Sequence, residues 1–79
     1  MKYNITVRKF KKFILSFGFY KVRQKGSHAI FTNGIVTSVL TIEKMTHTYS
    51  QGHLKKLLKD FRLSENELRF FLRTKKYTV

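Results

Sequence analysis

Phe19-Tyr20-Lys21-Val22-Arg23-Gln24, Lys25-Gly26-Ser27, His28-Ala29-Ile30-Phe31-Thr32-Asn33-Gly34 and Ile35-Val36-Thr37-Ser38-Val39-Leu40-Thr41-Ile42 follow one another through the middle of this chain and decide its fold. Phe19 to Gln24 alternates closely enough for a strand. Lys25-Gly26-Ser27 reads as a short turn, and His28 to Thr32 as a second strand. Asn33-Gly34 is the strongest short-range signal for a two-residue hairpin loop, because such loops need residues that accept a positive φ. Ile35 to Ile42, rich in Val, Ile and Thr, is expected to pair back as a third strand. Together they predict an antiparallel meander.

Helices are expected on both sides of it. After Thr6, a candidate N-cap, apolar residues fall at Val7, Phe10, Ile14 and Phe17, one stripe of an amphipathic helix. Arg8, Lys9, Lys11 and Lys12 occupy its other faces. Gly18 follows as a left-handed stop. Residues 43–52 show no sustained period and read as a loop, long enough to favour a functional role. Leu54, Leu57, Leu58 and Phe61 predict a second amphipathic helix, with Lys55, Lys56 and Lys59 turned outward. Ser64 and Glu67 have capping-box spacing, and Leu63 with Leu68 has that of a hydrophobic staple, so a third helix should run to about Arg73. Residues 74–79 are expected to fray. The predicted class is α+β in the order α-β-β-β-α with an additional C-terminal helix. A three-stranded antiparallel sheet with helices on one face is the layer arrangement of a double-stranded-RNA-binding domain.

The 79 residues have room for one domain, residues 1–79, and eight phenylalanines among 42% hydrophobic residues argue for a packed globule. The net charge is +13, and every charged residue before Glu43 is basic. Self-repulsion of that size is tolerated more easily when an acidic partner neutralises it, and nucleic acid, an anionic membrane or an acidic protein could do so. Cysteine is absent, which removes disulfides and thiolate metal sites and suits a reducing cytoplasm. No apolar run approaches the roughly 20 residues of a membrane span, and the start lacks a signal peptide's apolar segment. A soluble, cytoplasmic protein is expected.

His28 is the leading chemical candidate, since an imidazole titrates near neutral pH and can move protons on a polyanion. At a strand start beside Gly26 and Ser27, it is expected to project from the sheet edge. Lys21 and Arg23 are spaced to share one strand face, which Lys25 continues, forming a row able to clamp phosphates. Gln24 and the backbone around Gly26 and Ser27 belong to the same candidate RNA-binding set, as do Lys55 and Lys56 near a helix start. Tyr20 and Tyr49 are candidate base-stacking residues. His47 and His53 are more simply solvent-exposed side chains, and the histidine spacing fits no metal-ligand pattern. The only acids are Glu43, Asp60, Glu65 and Glu67, of which Glu65 and Glu67 already serve a helix start, leaving too few for a paired-carboxylate site. No metal or cofactor is expected.

Phe17-Gly18-Phe19, Val22-Arg23-Gln24-Lys25-Gly26-Ser27-His28 and Phe31 resemble the core motif of the HicA toxins, the YcfA-like messenger-RNA interferases of toxin–antitoxin pairs. Gly52 and the stretch from Leu54 to Lys59 are similar to the helix that follows in that family, so the resemblance covers about residues 7–63. It implies a double-stranded-RNA-binding-like fold, ribosome-independent cleavage of mRNA, a catalytic role for His28, and an acidic HicB-type antitoxin that covers the active site. Thr46-His47 stands where the family often has Pro-His, the turn after the second helix lacks the usual Gly, and the capped third helix extends beyond a minimal member. The free toxin is expected to be a monomer, because its apolar residues are accounted for by core stripes. Two other readings compete: a non-catalytic RNA- or DNA-binding module, and a protein-interaction subunit whose charge serves only to dock an acidic partner.

Overall fold

Six elements in the order α1 (Val7–Ser16), β1 (Tyr20–Lys25), β2 (His28–Thr32), β3 (Thr37–Thr41), α2 (Gln51–Asp60) and α3 (Glu65–Thr74) make up a computed structural model that describes residues 4–41 and 47–74. This is the expected α+β order with its additional helix. The strands form one antiparallel sheet in the order β1-β2-β3, leaving β1 and β3 as edges. The expected end of the third strand at Ile42 lies outside the described residues, as does the expected fraying of 74–79 except at Thr74, which is still helical as the last residue of α3.

Local chemistry sets the helix ends. Thr6 Oγ1 accepts a hydrogen bond from Lys9 N at 3.1 Å and starts α1. Gly18 stops it at φ +88°, where Phe19 N donates back to the Ile14 carbonyl at 3.1 Å. Ser50 Oγ accepts from His53 N at 3.2 Å to open α2. The capping box of α3 closes in both directions: Ser64 N donates to Glu67 Oε1 at 2.6 Å, and Glu67 N donates to Ser64 Oγ at 3.0 Å.

Where α2 ends, Arg62 takes the left-handed position that glycine usually fills, at φ +55°. Leu63 N still closes the turn on the Leu58 carbonyl at 2.8 Å. A side chain in that conformation costs about 1–2 kcal/mol, part of which glycine would return as chain entropy in the unfolded state. Arg62→Gly should therefore raise stability by about 0.5–1 kcal/mol, read as a higher urea midpoint at unchanged slope.

One face of each element feeds a shared core. Phe10 lies at its centre, with ring centroids 5.6 Å from Phe13, 5.9 Å from Phe61 and 6.0 Å from Tyr49. Phe13 is fully buried although it lies off the expected stripe, because Phe71 of α3 meets it at 5.4 Å. From the sheet, Ala29, Phe31 and Leu40 point into this core. Residues 5–7 pair with 47–49 through Val7 N to the His47 carbonyl and Tyr49 N to the Ile5 carbonyl, both 2.9 Å, which clips the chain start to the approach of α2.

Several expectations are corrected. The Asn33-Gly34 loop has four residues, not two: Thr32 pairs with Thr37, and Asn33 N donates to the Val36 carbonyl at 3.2 Å. Asn33 Oδ1 accepts from both Ile35 N and Val36 N, so the asparagine side chain shapes the loop and β3 starts at Thr37. Tyr49 is no stacking platform, being 2% exposed with its ring against Phe10. The third correction, on β1, decides the site.

Candidate functional site on the open face of the sheet

Residues paired directly across an antiparallel sheet share a face. On β2, Ala29 and Phe31 face the core, so His28, Ile30 and Thr32 face away from the helices. Their partners on β3, Thr41, Val39 and Thr37, extend that open face.

On β1 the register jumps. Lys21 pairs with Phe31 and Arg23 with Ile30, so Val22 is an extra residue that interrupts the pairing. The bulge reverses the parity of the strand, and Lys21 and Arg23 therefore do not share a face. Lys21 and Gln24 lie on the core side at its margin, where Lys21 Nζ donates to Gln24 Oε1 at 2.8 Å and Gln24 Nε2 to the Gly26 carbonyl at 3.0 Å. Arg23 and Lys25 lie on the open side, opposite Ile30 and His28.

His28 accordingly stands on the central strand rather than at a sheet edge, with Lys25 across from it on β1 and Thr41 on β3. Two features place it there. Gly26, at φ +60°, lets a two-residue turn carry the chain from Lys25 to His28, and Tyr49 OH holds the Thr41 carbonyl at 3.2 Å. Arg23, Lys25, His28, Ile30 and Val39 line a concavity of about 570 Å³, with cations on the β1 side and an apolar floor beside the imidazole. Ile30 and Val39 were not singled out in the sequence. Their signal is parity: each is out of phase with the core residues of its own strand.

A second concavity of about 460 Å³ runs along the free edge of β3. Thr37, Ser38, Val39 and Thr41 form one wall, and His53, Lys56, Leu57 and Asp60 of α2 the other. Lys56 thus faces a groove, whereas exposed Lys55 lines neither concavity. Ser27 is half-buried in the turn below His28, and exposed His47 lies off both concavities with its ring 6.1 Å from Tyr49. Among the described residues, no group of three or more His, Asp or Glu could hold a metal ion.

Among the described residues, Glu65 and Glu67 are engaged in α3, while Asp60 stands on the α2 wall of the second groove. Glu67 caps α3, and Glu65 meets Arg69 at 3.4 Å. The open face therefore has a cationic margin with no acid among its lining residues.

Residues 7–63 match the family model described as HicA toxin of bacterial toxin-antitoxin, a span running from the first residue of α1 through the turn after α2. The chain belongs to the HicA toxin family. It is thereby a toxin of the toxin–antitoxin kind, and an antitoxin is its implied partner. No curated protein and no solved structure matches it. The family span includes both concavities of this HicA-family chain and stops short of α3. No helix among the described residues is long and apolar enough to cross a membrane.

Burial pushes the Tyr49 phenol from 10.0 up to about 12. Above pH 10 the unfolded chain releases this proton while the folded chain keeps it, so the increment is complete below pH 10 and is lost as pH rises toward 12. Urea titrations across that range should show stability falling. Tyr49→Phe should flatten the fall and cost about 1 kcal/mol at neutral pH through the lost bond to Thr41.

Proposed function

We propose that this HicA-family toxin is a metal-independent endoribonuclease that cleaves mRNA on the open face of its sheet, with His28 as the catalytic group. The observation that carries the reading is the placement of an exposed imidazole on the central strand, paired across from Lys25 and on one face with Arg23. The RNA's own 2′-hydroxyl attacks the adjacent phosphorus, a new O2′–P bond forms, and the P–O5′ bond breaks. The products are a 2′,3′-cyclic phosphate and a 5′-hydroxyl. His28 takes the proton from the attacking hydroxyl or gives one to the leaving oxygen, and water or a lysine performs the other transfer. Arg23, Lys25 and the backbone N–H groups around Gly26 and Ser27 offset the charge growing on the phosphorane-like transition state.

A HicB-type acidic antitoxin would neutralise the toxin by covering this face, where opposite charge would favour rapid association. The reaction calls for a cytoplasmic setting, where mRNA and antitoxin meet the toxin. The deciding experiment is cleavage of end-labelled mRNA in EDTA with the fragment ends identified. Cyclic-phosphate ends support the reading; 3′-hydroxyl ends, or RNA bound without being cut, refute it.

The bulge adds a prediction. Each phosphate contact on a single strand contributes about −0.7 to the slope of log K against log salt. Arg23→Ala should therefore flatten that slope by about 0.7. Lys21→Ala removes the same charge from the other side of the bulge and should leave the slope nearly unchanged.

A further inference from the structure

The two concavities meet at one residue. Val39 belongs to the floor beside His28 and also to the groove between β3 and α2. The surface is thus continuous from Arg23 and Lys25 on β1, past His28 and over Ile30 and Val39, across the β3 edge to His53 and Lys56 on α2. From β1 to β3 the sheet alone spans about 10 Å, so this path is longer than one nucleotide step.

We propose that one unpaired RNA strand follows this path and that the groove between β3 and α2 is a second subsite, in which Lys56 and His53 hold a phosphate distant from the cleaved one. The inference rests on the reading of the open face as an RNA site. Lys56 supplies the charge and His53 an N–H donor, while Ser38 and Thr41 supply hydroxyls suited to ribose and phosphate oxygens; the Thr37 hydroxyl is already bonded to Thr32 Oγ1 at 2.9 Å. His53 is held by its ring contact with buried Tyr49 at 4.9 Å, and by the bond from its backbone N to Ser50 Oγ. Asp60, one turn beyond Lys56 on the same wall, repels a further phosphate and ends the path. Between the two phosphate positions, the exposed Val39 and half-buried Ile30 offer an apolar floor to a base that is not paired. A duplex would keep its bases stacked inside and leave this floor bare.

The test uses the wild-type protein and 2′-fluoro RNA, which lacks the attacking hydroxyl, as a trinucleotide and as an octanucleotide, followed by amide NMR and binding titrations. With the trinucleotide, shifts should centre on Arg23, Lys25, His28 and Ile30. With the octanucleotide they should extend to Thr37, Thr41, His53 and Lys56. Lys56→Glu should weaken the longer RNA about ten-fold and erase most of its advantage over the shorter one, while Lys55→Glu, the same change in net charge one residue away, should do so far less. Equal effects of the two variants would reduce the result to net charge and overturn the subsite. A groove that stays silent to the octanucleotide overturns it too, as does a groove that responds only to an acidic peptide. Cleavage of ordinary RNA is scored separately: groove shifts in a protein that cuts nothing end the nuclease reading and leave the path standing, whereas cutting with a silent groove does the reverse.

Discussion

Alanine at position 28 should lower RNA cleavage by about 10²–10⁴-fold, the usual worth of a positioned general acid or base. The loss should appear in kcat, because Arg23 and Lys25 on the same face provide most of the grip on RNA. The fold should survive, since His28 is exposed and substitutions at such positions usually change stability by less than about 0.5 kcal/mol. The protein should therefore keep its circular dichroism, its thermal midpoint and most of its RNA affinity while cutting disappears. His28→Gln, which keeps a polar side chain of similar reach but cannot titrate, should be as inactive as the alanine variant. Cleavage by either variant at near wild-type rate would end the proposed mechanism, whatever the end chemistry of the products.

Phe10→Ala should be the most damaging single change to the fold. Phe10 is 0% exposed and meets rings from its own helix, from the segment before α2 and from the end of α2. Emptying such a site costs about 3–5 kcal/mol, the transfer energy of the ring plus the cavity left behind. A small domain holds only about 5–15 kcal/mol in total, so a substantial part of the margin would go. At about 4–8 °C per kcal/mol, the thermal midpoint should fall by more than about 12 °C. Ile35→Ala is the matched control: Ile35 is 87% exposed in the β2–β3 loop, and its truncation should hardly move the midpoint. A Phe10→Ala midpoint within a few degrees of wild type would mean that α1, α2 and the sheet do not share one core.

The elements themselves were legible because they rest on local rules. The Thr6 and Ser64 caps, the left-handed Gly18, the staple of Leu63 and Leu68, and the apolar stripe of α2 each depend on residues a few positions apart. Sequence spacing and spatial proximity are the same thing at that range. The motif around Gly26, Ser27 and His28 was legible for a similar reason, since a turn and the first residue of the next strand are adjacent in the chain.

The site was only half legible. Perfect alternation along β1 puts Lys21, Arg23 and Lys25 in one row, but one extra residue at Val22 moves Lys21 to the other side and leaves Arg23 and Lys25 with His28. Nothing in Lys21-Val22-Arg23 announces that bulge; it is set by how β1 pairs with β2 while Phe19 is held in the core. Asn33-Gly34 misled in a related way, because the Asn33 side chain closed a wider loop than the dipeptide usually forms.

The amino-acid sequence by itself therefore determined the element order, the charge that calls for a polyanionic or acidic partner, the family, and the imidazole at position 28. Tertiary structure decided which cations stand beside that imidazole, that Tyr49 is a core residue, that Phe13 is buried against α3, and that His53 and Lys56 face the β3 edge. The physical reason is range. Caps, turns and stripes are settled within a few residues along the chain, whereas strand register and helix docking are settled by contacts between residues far apart in it, where each side-chain position depends on all the others that share the core.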